Sequence, residues 1–120
     1  MVNSESLKKN YQFRIVYNKG KSVANKSIVL FALKNGEDVN RFGVSVSKKI
    51  GNAVVRNRVR RRLKESYRRI EAQLPRGYDM IALARLPITE VSFAELESGL
   101  IRLLQRQGIL AKPDEMKDSL

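Results

Sequence analysis

The period of the apolar positions changes several times along this chain, and each change marks an element. In residues 10–18, Phe13, Val16 and Tyr17 recur at helical spacing, with Asn10 as an N-cap and Gly20 just past the far end, which predicts a short helix with an apolar, aromatic face. Residues 21–24 read as a short strand. Residues 27–34 read as a stronger one, because Ile28 to Leu33 is apolar throughout, the pattern of a strand covered on both faces. After the turn signal Asn35-Gly36-Glu37-Asp38, residues 41–47 alternate Phe42, Val44 and Val46 with Gly43, Ser45 and Ser47. The second of these faces is small and polar, with room for something to lie on the sheet, although a solvated face is the commoner reason for serine in a strand.

The longest periodic stretch follows. Asn52 can cap a helix that starts at Ala53, runs to about Leu74 and is ended by Pro75 and Gly77. At about 100° per residue, Val55, Val59, Leu63, Ser66, Tyr67 and Ile70 fall in one arc that faces the domain. The opposite arc holds Arg58, Arg60, Arg61, Arg62, Lys64, Arg68 and Arg69. Val54 falls outside the apolar arc and Arg56 inside it, so Arg56 is the cation hardest to explain as a solubilising group and a candidate link between the helix and the rest of the domain. Residues 78–84 predict another strand. Ser92 and Glu95 form a capping box for a helix to about Gln107, with Leu96, Leu100, Leu103 and Leu104 on one face and Gly108 as its stop. The polar residues 111–120 predict an unstructured tail after a single domain at 1–110. The order αβββαβα describes an α+β sandwich with helices packed on a mixed sheet. The passage from residues 41–47 through the basic helix to 78–84 would be a parallel crossover, right-handed by the general rule.

Charge adds the function class. The 120 residues, 42% of them apolar, suffice for one core, yet the formal net charge is +12. Between Lys48 and Arg69 there are ten cations against one acid, Glu65. Such a run repels itself and points to an anionic partner, a nucleic acid or an anionic membrane surface. The apolar arc of the helix is Val-rich and needed for the core, which argues against a membrane-surface helix, and neither a bilayer-length apolar run nor a signal-peptide pattern is present. A soluble, cytoplasmic protein is expected. With no Cys and no His, the chain lacks the usual nucleophile, general base and transition-metal ligands, which argues against an enzyme acting alone. Gly51-Asn52 is far short of a phosphate loop, and Asp38, Glu65, Glu71 and Asp79 have no spacing that would assemble a metal site. No catalytic and no metal-ligating residue is therefore assigned. A basic helix face is often merely solvated. Here most of the cations are Arg, whose planar fork suits phosphate, and aromatic residues on other elements could stack on unpaired bases.

The run Ser45-Val46-Ser47-Lys48-Lys49-Ile50-Gly51-Asn52-Ala53-Val54-Val55-Arg56-Asn57-Arg58-Val59-Arg60-Arg61-Arg62 closely resembles the signature of the bacterial ribonuclease P protein component, including its Arg-Asn-Arg motif. The likeness extends from about Leu7 to Arg106, with Phe13-Arg14-Ile15-Val16-Tyr17 similar to that family's first helix. The resemblance implies a protein subunit of a tRNA-processing ribonucleoprotein endonuclease, inactive alone, whose catalyst is an RNA that carries the Mg²⁺ and removes the 5′ leader of precursor tRNA. It also implies a left-handed crossover, against the general rule. By position it implies catalytic-RNA contacts at Lys48, Lys49, Arg56, Asn57, Arg58, Arg60, Arg61 and Arg62, with Lys64 matching less firmly, and a leader-binding cleft at Phe13, Tyr17, Phe31 and Ser45. Outside the resemblance, a ribosomal or assembly-type RNA-binding protein and a non-specific DNA-compacting protein remain open readings, and so does the oligomeric state.

Overall fold

In the computed structural model, which describes residues 4–112, the chain runs β1 (Ser4–Ser6), α1 (Asn10–Lys19), β2 (Lys21–Ala24), β3 (Ile28–Lys34), β4 (Asn40–Ser45), α2 (Ala53–Ile70), β5 (Tyr78–Ala84) and α3 (Phe93–Arg106), with 3₁₀ turns at Lys48–Ile50, Glu71–Gln73 and Leu86–Glu90. The strands form one mixed sheet in the order β1-β4-β5-β3-β2. β4 and β5 are adjacent and pair in parallel, so the connection through α2 is the expected parallel crossover. The pairings of β3, with β5 and with β2, are antiparallel.

Alternation gives each strand two faces. One face presents Ile28, Leu30 and Ala32 from β3, Phe42 from β4, and Met80, Ala82 and Ala84 from β5 to the main core, where they meet Val59, Leu63, Tyr67 and Ile70 of α2 and Leu96, Leu100, Leu103 and Leu104 of α3. Phe42 and Tyr67 stack there, with centroids 4.0 Å apart and planes 9° from parallel. Among the described residues, the other face carries only α1, through a small cluster of Leu7, Val16 and Ile81 with Phe13 and Phe31 packed on it. The apolar run of β3 is thus explained differently on its two sides, since α2 and α3 bury one while Val29, Phe31 and Leu33 on the other are only half-buried.

Five details depart from the sequence expectations. β1 has no signal in the sequence: Ser-Glu-Ser lacks apolar alternation, and its place depends on parallel pairing with β4, on Leu7 N–H donating to the Phe42 carbonyl at 3.1 Å, and on a 2.8 Å hydrogen bond between the Ser4 and Tyr67 hydroxyls. Asn10 is the first residue of α1, after Lys9 at the N-cap, and Gln12 Oε1 reaches back to accept from the Lys9 N–H. β4 begins at Asn40 and ends at Ser45, short of the expected Ser47. α2 ends at Ile70, and the residues after it tighten into the 3₁₀ turn before Pro75. α3 stops one residue short of Gln107, and Gly108 follows in the left-handed region at φ +77°. Most of the expected tail, from residue 113 onward, lies outside the described residues.

Candidate nucleic-acid interface

Two surfaces, one on each face of the sheet, collect the predicted site residues. The first is α2. Asn52 Oδ1 accepts from the Val55 N–H at 3.0 Å and opens the helix where the sequence places its start. Lys48 and Lys49 stand exposed on the 3₁₀ turn just before it. Beyond the buried stripe the cations divide into two flanks. On one, Asn57, Arg60, Arg61, Lys64 and Arg68 line an open concavity of about 580 Å³, which Ser6 of β1 also borders. Asn57 there accepts from Arg60 Nη1 at 2.7 Å, which orients that guanidinium. On the other flank Arg62 Nη2 donates to the Val91 carbonyl at 3.0 Å, and Arg69 pairs with Glu97 at 2.8 Å while lying over the Phe93 ring. Arg62 is therefore partly a structural tie to the loop before α3.

Among the described residues, Lys48, Lys49, Arg58, Arg61 and Lys64 have no carboxylate within ion-pair distance, whereas Arg68 is held by Glu65. The Arg68 guanidinium keeps the Glu65 carboxyl below the usual carboxylate range, and Glu65 in turn raises Arg68. Arg56 is drawn inward as its position in the apolar arc requires. It is half-buried, and its Nε is closed off from solvent without a hydrogen-bond partner among the described residues.

The second surface lies between α1 and the sheet. Register places three rows across this face: Arg41 with Asp79 and Leu33; Gly43 with Ile81, Phe31 and Ser22; and Ser45 with Leu83, Val29 and Ala24. α1 lies over the middle row. A Cβ built on Gly43 would come within 2.6 Å of the Phe13 ring, so glycine there lets α1 settle on β4. Tyr17 meets Phe31 edge-on at 4.9 Å and stands 6.2 Å from Phe13. To one side of the helix the third row stays open, with Ser45, Leu83 and Val29 half-buried beside these rings and Tyr17 36% exposed. Phe13, Tyr17 and Phe31 are thus brought together, and Ser45 joins them from one row away. Leu83 and Val29 carry no signal of their own in the sequence. Only the strand register shows that they share this row.

The row on the opposite side of α1 is an ion-pair network. Arg41 meets Glu37 at 2.6 Å, Asp79 at 3.2 Å and Glu5 at 3.6 Å, and the hydrogen bond from Arg41 to Glu37 raises the Arg41 pKa above its ordinary value despite partial desolvation. That end of the face sets one cation against three carboxylates, an arrangement unsuited to a polyanion. The combination of a half-open aromatic row with unpaired cations a helix away suits a flexible anionic chain with exposed bases. No helix among the described residues is long and apolar enough to cross a membrane.

Known proteins similar to this chain share one family and one fold. Residues 1–108 match the family Ribonuclease P. The chain is 46% identical over 109 residues to a ribonuclease P protein component of Clostridium botulinum, covering 90% of this chain and 98% of the relative. It is 49% identical over 100 residues to one from Caldanaerobacter subterraneus, covering 83% and 86%. Among solved structures, the RNase P protein of Staphylococcus aureus superposes with a TM-score of 0.82 at 33% identity, covering 89% of this chain and 98% of that one. That of Thermotoga maritima gives 0.78 at 33% identity, covering 85% and 96%. Sequence and fold agree, and the chain belongs to the ribonuclease P protein-component family, the protein subunits of a tRNA-processing ribonucleoprotein.

Proposed function

We infer that this chain binds a catalytic RNA through α2 and the 5′ leader of precursor tRNA through the open row beside α1, and so promotes endonucleolytic removal of the leader. The observation that carries the reading is the separation of the two surfaces by one sheet, with unpaired cations on one face and half-exposed rings on the other. Cations on α2 reduce repulsion between two polyanions, and bound counterions released from RNA phosphates drive that association. The open row adds interactions that only a substrate with a leader can make, so discrimination against mature tRNA comes from binding.

Two of the carboxylates beside the basic helix, Glu65 and Glu97, are each engaged by an arginine, which leaves those two poorly placed to hold a divalent ion. The reading assigns Mg²⁺ to the RNA partner, where it would activate the attacking water and stabilise the leaving oxygen. What this chain's residues do is bind and orient. It is inert alone, and it works in the cytoplasm, where tRNA is made.

Reconstitution tests the reading. Protein added to its cognate RNA should accelerate leader removal at low Mg²⁺. The Tyr17→Ala variant should bind precursor tRNA more weakly by about 1 to 3 kcal/mol, with binding of the catalytic RNA and of mature tRNA unchanged. Absence of any acceleration with correctly folded RNA would sink the proposal.

A further inference from the structure

Away from both surfaces, a cleft of about 470 Å³ lies between the β2–β3 turn and the N-terminal half of α3. We propose that this cleft is a further site for the phosphate backbone of the catalytic RNA, continuous with the flank of α2 that carries Arg62 and Arg69. The proposal rests on the reading that the chain binds such an RNA.

The turn is built to present donors. Asn25 Oδ1 accepts from the Ser27 and Ile28 N–H groups at 2.9 and 2.8 Å, which pins the carboxamide and leaves Nδ2 pointing at α3. A Cβ on Gly99 would lie 2.9 Å from that Nδ2, so a side chain there would displace the amide or close the cleft. Glycine inside a helix is otherwise unfavourable, and its presence in α3 is accounted for by this approach. Among the described residues, Asn25 Nδ2, the Ser27 and Ser98 hydroxyls, the Lys26 ammonium and the Arg102 guanidinium all border the cleft without a protein partner. The one acid in the lining, Glu95, belongs to the α3 cap, with Oε1 3.4 Å from Ser92 Oγ. Five residues with unpaired side-chain donors, two of them charged, line a concavity whose one carboxylate belongs to the α3 cap. Phosphate and ribose oxygens are acceptors that match it.

Its position identifies which RNA. Val91, in the wall of the cleft, is the residue whose carbonyl holds Arg62 at 3.0 Å. The cleft therefore adjoins the flank of α2 that carries Arg58 and Arg69. The leader row lies on the other face of the sheet. An RNA strand along α2 can run past Arg62 into the cleft, whereas a leader in the open row would meet the β2–β3 turn, beside Ala24 and Val29, only from the opposite face of the sheet.

The test is the Lys26→Ala/Arg102→Ala double variant of the full chain, titrated with catalytic RNA over a range of salt concentrations. Both side chains are exposed, so its thermal unfolding should match the parent's. Affinity should fall, and the log-log salt slope should flatten by about 0.7 to 0.9 for each phosphate that the variant no longer neutralises. The charge-keeping Lys26→Arg/Arg102→Lys variant should retain the parent slope. A double variant with the parent's affinity and slope overturns the proposal, as does a weakening seen only with precursor tRNA bound to the assembled enzyme. Failure of the parent itself to bind the RNA would instead remove the functional reading on which this site rests.

Discussion

Arg56 shows how a single residue can run against the preference of the fold. It occupies the apolar arc of α2 with its Nε buried and unpartnered, an arrangement that costs about 1 to 3 kcal/mol for a buried polar group left without a hydrogen bond. A side chain of similar length without the charge removes that cost. Arg56→Met should therefore leave the free protein as stable as the parent or more so, by up to about 2 kcal/mol, while weakening its binding to catalytic RNA. Chemical denaturation and RNA titration of the same variant check both halves, and a marked drop in stability would mean that Arg56 serves the core. The position is visible from the helical period alone, because one cation falls among Val, Leu and Tyr. Its buried Nε is not, since the depth of a side chain depends on the partner elements that cover it.

At the scale of elements, α2 is one helix with three surfaces where periodicity resolves two. The wheel separates apolar from basic positions but cannot say what stands beside each flank, so Arg61 and Arg62 look equivalent in sequence. In the structure Arg61 lines an open concavity, while Arg62 is bonded to the Val91 carbonyl. Arg62→Ala should cost about 1 to 2 kcal/mol of folding stability as well as RNA affinity, because it removes a charged donor to a carbonyl. Arg61→Ala should stay within about 0.5 kcal/mol of the parent in stability and act on RNA binding alone. Equal unfolding midpoints for the two variants would contradict the division. The same distinction explains what else is legible. The other elements follow from local signals: the Asn52 cap, the Ser92–Glu95 box and the alternation of Phe42, Val44 and Val46 all sit in the chain near the structure they specify. β1 does not, because three polar residues become a strand only by pairing with β4, far along the chain. The leader row is intermediate: its aromatic members follow from resemblance to a family, whereas Val29 and Leu83 need a register that no local pattern encodes.

Over the whole molecule, the two candidate surfaces keep their relation only if α2 stays fixed to the sheet, and Tyr67 is one of its fasteners. Its ring is fully buried against Phe42, and its hydroxyl reaches across the sheet edge to Ser4, so one side chain ties α2, β4 and β1 together. Burial pushes the phenol up to about 12, with the Ser4 hydrogen bond opposing the shift in part. The folded pKa is thus above the unfolded value of about 10, and the neutral phenol contributes stability that is complete below about pH 10 and lost as the pH rises toward 12. Tyr67→Phe keeps the ring stack and deletes the titrating group. At neutral pH it should be less stable than the parent by about 1 kcal/mol, the worth of the missing hydrogen bond. Every other group is common to both proteins, so its contribution cancels in the difference between the two stabilities. That difference should hold constant to about pH 10, then shrink and reverse before pH 12, as the parent alone must ionise or retain a buried phenol. Denaturant midpoints of the free protein from about pH 8 to 12 give the comparison. Two curves that stay parallel throughout would mean that the Tyr67 hydroxyl meets solvent, and that β1 is not held to α2 through it.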